Sequence, residues 1–221
     1  KDDPAYDPQN PYINRDPRFY ATILYDGAPF KGREVETFLP GGMDSNEGPV
    51  SAWNATQTGY YQLKFANERI TNPSGNNMSQ TPWTFYRYAE ILLNYAEANY
   101  FLGKEDVTRE YLNAVRSRPS VSMPPVTDSG PALFDRIVNE RRIELVFEEH
   151  RWFDVRRWKI LPQVAEEDRT RMIIRKNPDG TKVYEVAFWK EGVFNEANYL
   201  LPIPQTEINK NGLLEQNPGY N

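Results

Sequence analysis

Apolar positions recur at helical spacing in three stretches of this 221-residue chain and at strand spacing in a fourth. From Thr84 onward Tyr88, Ile91, Leu92, Tyr95, Ala96, Asn99 and Leu102 follow steps of three and four, and Gly103 is placed as a C-terminal stop. A second helix is predicted from about Glu105 to Arg116, with Val107, Tyr111, Leu112 and Val115 on one side. Ala89, Ala96 and Ala98 let the two helices approach closely. A third helix starts near Pro131, a good first-turn residue, and continues through Leu133, Ile137 and Val138 into residues 140–158 as one element and its exit. After Pro162 the period changes to two, so 172–175 and 182–188, joined by Asn177-Pro178-Asp179-Gly180, predict a β-hairpin. The final segment reads as an extended approach and a short helix, with Gln216-Asn217-Pro218 as a docked tail.

Residues 1–82 carry little periodicity and many turn formers: Asp3-Pro4, Asn10-Pro11, Asp16-Pro17, Pro40-Gly41-Gly42, Asn72-Pro73 and Ser74-Gly75. Tyr6, Tyr12, Phe19, Tyr20, Tyr25, Phe30 and Phe38 are frequent enough to pin such a segment to a core, so ordered loop with short strands is expected there.

The densest cluster of charge is ERRIELVFEEHRWFDVRRW, residues 140–158. Glu140, Glu144 and Glu148 share one helical face, where like charges repel unless cations sit among them. Arg136, Arg141, Arg142 and Arg151 are the nearest such cations in sequence. Ile143, Leu145, Val146 and Phe147 crowd the rest of the helix, which predicts a partly buried and fully paired network, with Trp152 and Trp158 buried beside it.

Composition narrows the chemistry. Hydrophobic residues make up 39% of the chain and aromatics 14%, a mixture suited to a loop-rich globular protein with large side chains in its core. The net charge of −5, with basic residues compensated by acids between 136 and 159, implies no nucleic-acid partner. Cysteine is absent, which removes thiol catalysis, disulfides and thiolate metal sites. His150 is the single histidine, and no nucleotide-binding, serine-hydrolase or zinc-protease motif occurs. A glycosidase needs only two carboxylates, for which Glu148, Glu149 and Asp154 are the sharpest candidates, but arginine-rich surroundings would depress their pKa values and spoil a general acid. An enzyme is therefore not expected, and no cofactor is.

Sugar binding asks for flat aromatic faces beside amides. Trp53, in the polar stretch 41–59 with Asn46, Asn54 and Gln57, is the first candidate platform, followed by Trp83 and Tyr60. Asp44, Asn46 and Glu47 form an oxygen-rich cluster that lacks the spacing of a calcium loop.

The run at 140–158 resembles the signature of the SusD/RagB family of surface nutrient-binding lipoproteins. Residues 10–27, 58–65, 87–103, 112–118 and 199–221 are similar to that family's C-terminal half, in the same order. The resemblance implies a mainly α fold: a tetratricopeptide-like helical hairpin plus a loop-rich SusD-type region and a small β-hairpin. It divides the chain into a loop-rich segment (1–83), a helical segment with the signature (84–160), and a β-hairpin with C-terminal tail (161–221). It further implies capture of glycan at the extracellular face of the outer membrane and a SusC-like TonB-dependent transporter as partner. Attachment to the membrane would come only from a lipid anchor on a preceding N-terminal part. A peptide-binding member of the family and a helical-repeat module that binds protein are the alternatives. One helical pair cannot bury its own faces, so an uncovered apolar face is expected around Tyr88, Leu92, Tyr95 and Tyr111.

Overall fold

Asp16 caps the first helix, α1 (Pro17–Thr22): its side chain accepts from the Arg18 backbone N–H, and Pro17 sits where a missing N–H costs nothing. Asp16-Pro17 is thus a helix start and not only a turn. The structure, a computed structural model, describes residues 6–50, 52–70 and 81–220; the turns expected at Asp3-Pro4, Asn72-Pro73 and Ser74-Gly75 lie outside them. Four two-residue strands follow α1, namely β1 (Ile23–Leu24), β2 (Pro29–Phe30), β3 (Arg33–Glu34) and β4 (Tyr61–Gln62). β1 pairs antiparallel with β4, and β2 with β3. The expected aromatic pinning is present: Tyr12 lies in a core with Phe38, and its ring centroid is 4.6 Å from that of Tyr25.

The helical hairpin forms as the periodicity predicts. α2 (Tyr88–Phe101) and α3 (Glu105–Arg116) are joined through Gly103 at φ +72°, a conformation glycine adopts freely. α2 begins four residues later than expected because Arg87 is extended, at φ −147° and ψ 156°. α4 (Gly130–Glu144) packs against the pair, and Leu93, Leu112, Leu133 and Ile137 at their junction are fully buried. Burial of each such side chain contributes about 1.5–3 kcal/mol. Thr108, also fully buried, donates its hydroxyl to the Ala96 carbonyl at 3.0 Å and so ties α3 to α2 without an orphaned polar group.

The signature is not one helix. α4 ends at Glu144, Phe147 and Glu149 take left-handed backbone at φ +62° and +66°, and α5 (His150–Arg157) starts afresh. Glu140, Glu144 and Glu148 nevertheless converge, on cations supplied from far away in sequence. Arg18 Nη1 donates to Glu140 at 2.5 Å and to Glu144 at 2.9 Å, and Arg116 reaches Glu140 at 2.7 Å. Arg118 and Arg87 each donate to Glu144 at 2.6 Å, while Arg87 and Lys64 hold Glu148 at 2.7 and 2.5 Å. The cations expected from the signature's own neighbourhood serve elsewhere: Arg136 pairs with Asp128, Arg141 donates to Asn94, and Arg142 is exposed. Arg136 and Arg141 stand four and three positions before Glu140 and Glu144, but they are engaged by Asp128 and Asn94, and the carboxylate row is met from other elements. The extended Arg87 explains itself here, since its guanidinium spans Glu144 and Glu148 and also donates to the Glu144 carbonyl at 2.7 Å.

The chain forms two compact units, one of residues 1–151 with 171–187 and one of 152–170 with 188–221. The remaining elements are α6 (Leu161–Ala165), the hairpin strands β5 (Arg169–Lys176) and β6 (Lys182–Lys190), and α7 (Gln205–Lys210). The hairpin turns at Asn177–Gly180, with Gly180 at φ +88°. Within the second unit the tail docks as expected: the Gln216 side chain accepts from Ile203 N–H and donates to its carbonyl, and Tyr220 Oη donates to Ala197. Trp152 departs from expectation. It is 51% exposed, and the Arg156 guanidinium lies 3.2 Å from its ring centre, so a cation, and not apolar packing, covers the ring. Among the described residues the fold is mainly α, and no helix is long and apolar enough to cross a membrane.

Candidate functional site

In the middle of β5 burial alternates: Met172 and Ile174 are buried in the aromatic core, so Arg171, Ile173 and Arg175 present to the other face. Backbone bonds along one edge of β5 set two margins, the opposite edge being paired with β6. Leu39 N–H donates to Ile174 O at 2.7 Å and Leu39 O accepts from Lys176, and farther back along the same edge Met172 N–H donates to Thr58 O at 3.0 Å. Between these margins lies a recess of about 240 Å³ whose walls include Arg171 and Arg175 from β5 and Asn46, Glu47, Thr56 and Gln57 from the loop. Gly59 permits the close approach: it stands at φ +83°, and a Cβ there would lie 2.6 Å from the Met172 carbonyl oxygen.

The loop wall is held from below by Tyr61, whose hydroxyl donates to Asp44 O at 2.7 Å and accepts from Thr56 N–H at 3.0 Å. Trp53 sits in a 3-10 turn at 52–54, three residues before Thr56, and is 86% exposed. So large an indole left in water is poor use of a core residue and suits a stacking surface. Asn54 is exposed beside it in sequence.

The other candidate positions scatter. Trp83 is 45% exposed and rests on Phe65, with ring centres 5.3 Å apart. Tyr60 packs edge-on to Tyr12 at 6.1 Å, and burial raises its phenol pKa. Asp44 gives both oxygens to Arg33 at 2.6 Å and accepts from Glu36 N–H, whereas Asn46 and Glu47 face the recess. Burial tends to raise the Asp44 pKa, but these bonds hold it below the usual carboxylate range. No group of three or more acidic or histidine side chains placed to hold a metal ion occurs among the described residues.

Of the carboxylates weighed for glycoside hydrolysis, Glu148 is depressed in pKa: burial opposes ionisation, but bonds from Arg87 and Lys64 outweigh it. Asp154 accepts from Arg157 at 2.9 Å. A carboxyl held down in this way, as Glu148 is, is not poised as a proton donor near neutral pH. Arg171 and Arg175 are the residues sequence reasoning missed. The signal was the alternation of RMIIR itself, which puts both arginines on the face opposite the apolar pair.

The family model for SusD proteins matches residues 1–220. A SusD-like protein, P2, of Formosa agariphila is 34% identical over 163 residues, covering 69% of this chain and 29% of that protein. The crystal structure of a SusD-like protein from Bacteroides fragilis superposes with a TM-score of 0.76 at 33% identity, over 96% of this chain and 40% of its own. A second from the same organism, described as a SusD-like carbohydrate binding protein, gives 0.68 at 34% identity over 94% of this chain and 43% of that one. The chain therefore spans less than half the length of these relatives. With the family model matching residues 1–220 and a SusD-like structure superposing over 96% of the chain, the chain belongs to the SusD family.

Proposed function

We propose that this chain serves cell-surface glycan capture at the outer membrane, delivering oligosaccharide to a SusC-like TonB-dependent transporter without covalent chemistry. The observation that carries the reading is the exposed Trp53 in the loop that also walls a polar recess. An indole face takes the CH side of a pyranose, and the amides of Asn46, Asn54 and Gln57 suit its hydroxyls. Kinship with a protein described as carbohydrate binding points the same way.

The test is a glycan array followed by calorimetric titration of the parent and Trp53→Ala with the glycan it identifies. Affinity should fall at least tenfold in the variant while the melting temperature stays put, because the side chain touches solvent and not core. Unchanged affinity would remove Trp53 from the site.

A second reading, protein binding by the helical hairpin, has one specific support. Phe85, Tyr86, Tyr88, Ile91 and Tyr95 leave an exposed apolar stripe leading into and along α2.

A further inference from the structure

Resting on the glycan-binding reading above, we propose that the β5 recess selects an acidic glycan, with Arg171 and Arg175 receiving the carboxylate of a uronic acid unit. The Arg171 guanidinium makes no hydrogen bond or ion pair with the described residues, and its Nε is sealed from solvent. Arg18, Arg87 and Arg116, by contrast, each meet two or more acceptors. A donor sealed without an acceptor is costly, and the Nη groups of the same guanidinium, unpartnered among the described residues and not sealed with it, remain open to an acceptor from outside the chain. The planar fork of a guanidinium is matched best by two coplanar oxygens on one carbon, which is what a uronate presents.

Charge agrees with this. The recess holds two arginines against the single carboxylate of Glu47, in a chain whose net charge is −5. Glu47 is exposed, so water screens its repulsion of an anion, whereas Arg171 acts from a drier position. The volume of about 240 Å³ lies just under the range of ligand pockets, roughly 300 Å³ and above, and so suits one sugar ring with its neighbours running out along the loop. Asn46 and Gln57 make no side-chain bond to the described residues and are free to meet ring hydroxyls.

The experiment titrates the 221-residue chain with uronate oligosaccharides of several kinds, with their neutral methyl esters, and with sulfated neutral oligosaccharides. One uronate should bind at least tenfold more tightly than its own methyl ester, with the difference shrinking in high salt. Arg171→Gln should bring the acid form down to the affinity of the ester without moving the melting temperature, since the guanidinium supports nothing in the fold. Arg171→Lys should fall between, and Glu47→Gln should raise affinity for the acid form alone. Equal binding of acid and ester, with both lost in Trp53→Ala, would overturn the acidic cargo and leave glycan capture standing. Binding confined to sulfated or neutral glycans would overturn it too, and failure of every glycan to bind would remove both readings together.

Discussion

Substituting Glu144 removes the carboxylate on which three arginines meet. Burial by itself would raise its pKa, yet hydrogen bonds from Arg87, Arg18 and Arg118 prevail and hold it to about 2 against an ordinary 4.5. At roughly 1.4 kcal/mol per pKa unit, that depression contributes about 3 kcal/mol to stability at neutral pH. Removing one partner from a buried ionic cluster costs ~3–5 kcal/mol, so the two routes agree. Glu144→Ala should reach this loss with a cavity added, and Glu144→Gln should reach most of it with shape preserved. For a domain of this size each kcal/mol moves the melting temperature by about 2–4 °C, which predicts a fall on the order of 10 °C. The folded pKa lies below the unfolded one, so the contribution is complete above pH 4.5 and drains away as pH falls toward 2. Calorimetric melting of parent and Glu144→Gln from pH 7 to pH 3 should show curves that converge as the solution is acidified. A variant melting within 2 °C of the parent at pH 7, or a gap that does not narrow with acid, would refute the network as a stability element.

Gly59→Ala should cost several kcal/mol and weaken any ligand of the recess, because the new methyl would meet the Met172 carbonyl at 2.6 Å in a backbone conformation alanine avoids; chemical denaturation alongside titration checks both. Ile137→Ala, at a fully buried position between three helices, should destabilise by ~2–5 kcal/mol in the same denaturation assay. The stripe of Tyr88, Ile91 and Tyr95 should bind a hydrophobic dye in the folded protein, and replacing all three with serine should abolish the signal without unfolding the chain.

Where local chemistry decides structure, residue patterns were enough. The bounds of α3, the hairpin of β5 and β6, and the glycine stop after α2 all follow from spacing and turn residues within a few positions. The uncovered face of α2 was legible too, although Leu92 turned inward to 9% exposure and Tyr111 joined the core. The break at Phe147 was not, because helix-favouring neighbours conceal a left-handed pair that serves the placing of Glu148 on Lys64 and Arg87. Nor were the cations of the network, since nothing in a run of 19 residues names a partner 122 positions away. The recess escaped for the same reason: Asn46, Gln57 and Arg171 meet only after one edge of β5 has bonded to both Leu39 and Thr58.

The pairing of Arg18 with Glu140 also sets an order of events during synthesis. Their separation of 122 residues means that, at ~5–20 residues per second, the first leaves the ribosome roughly 6–24 s before the second. Until then the loop region has its aromatic rings but not its ionic clamp, and β5, which seals those rings, emerges later still. The loop region of this chain therefore passes that interval with neither its ionic clamp nor the strand that closes its aromatic core, and its final collapse waits on residues 140–176.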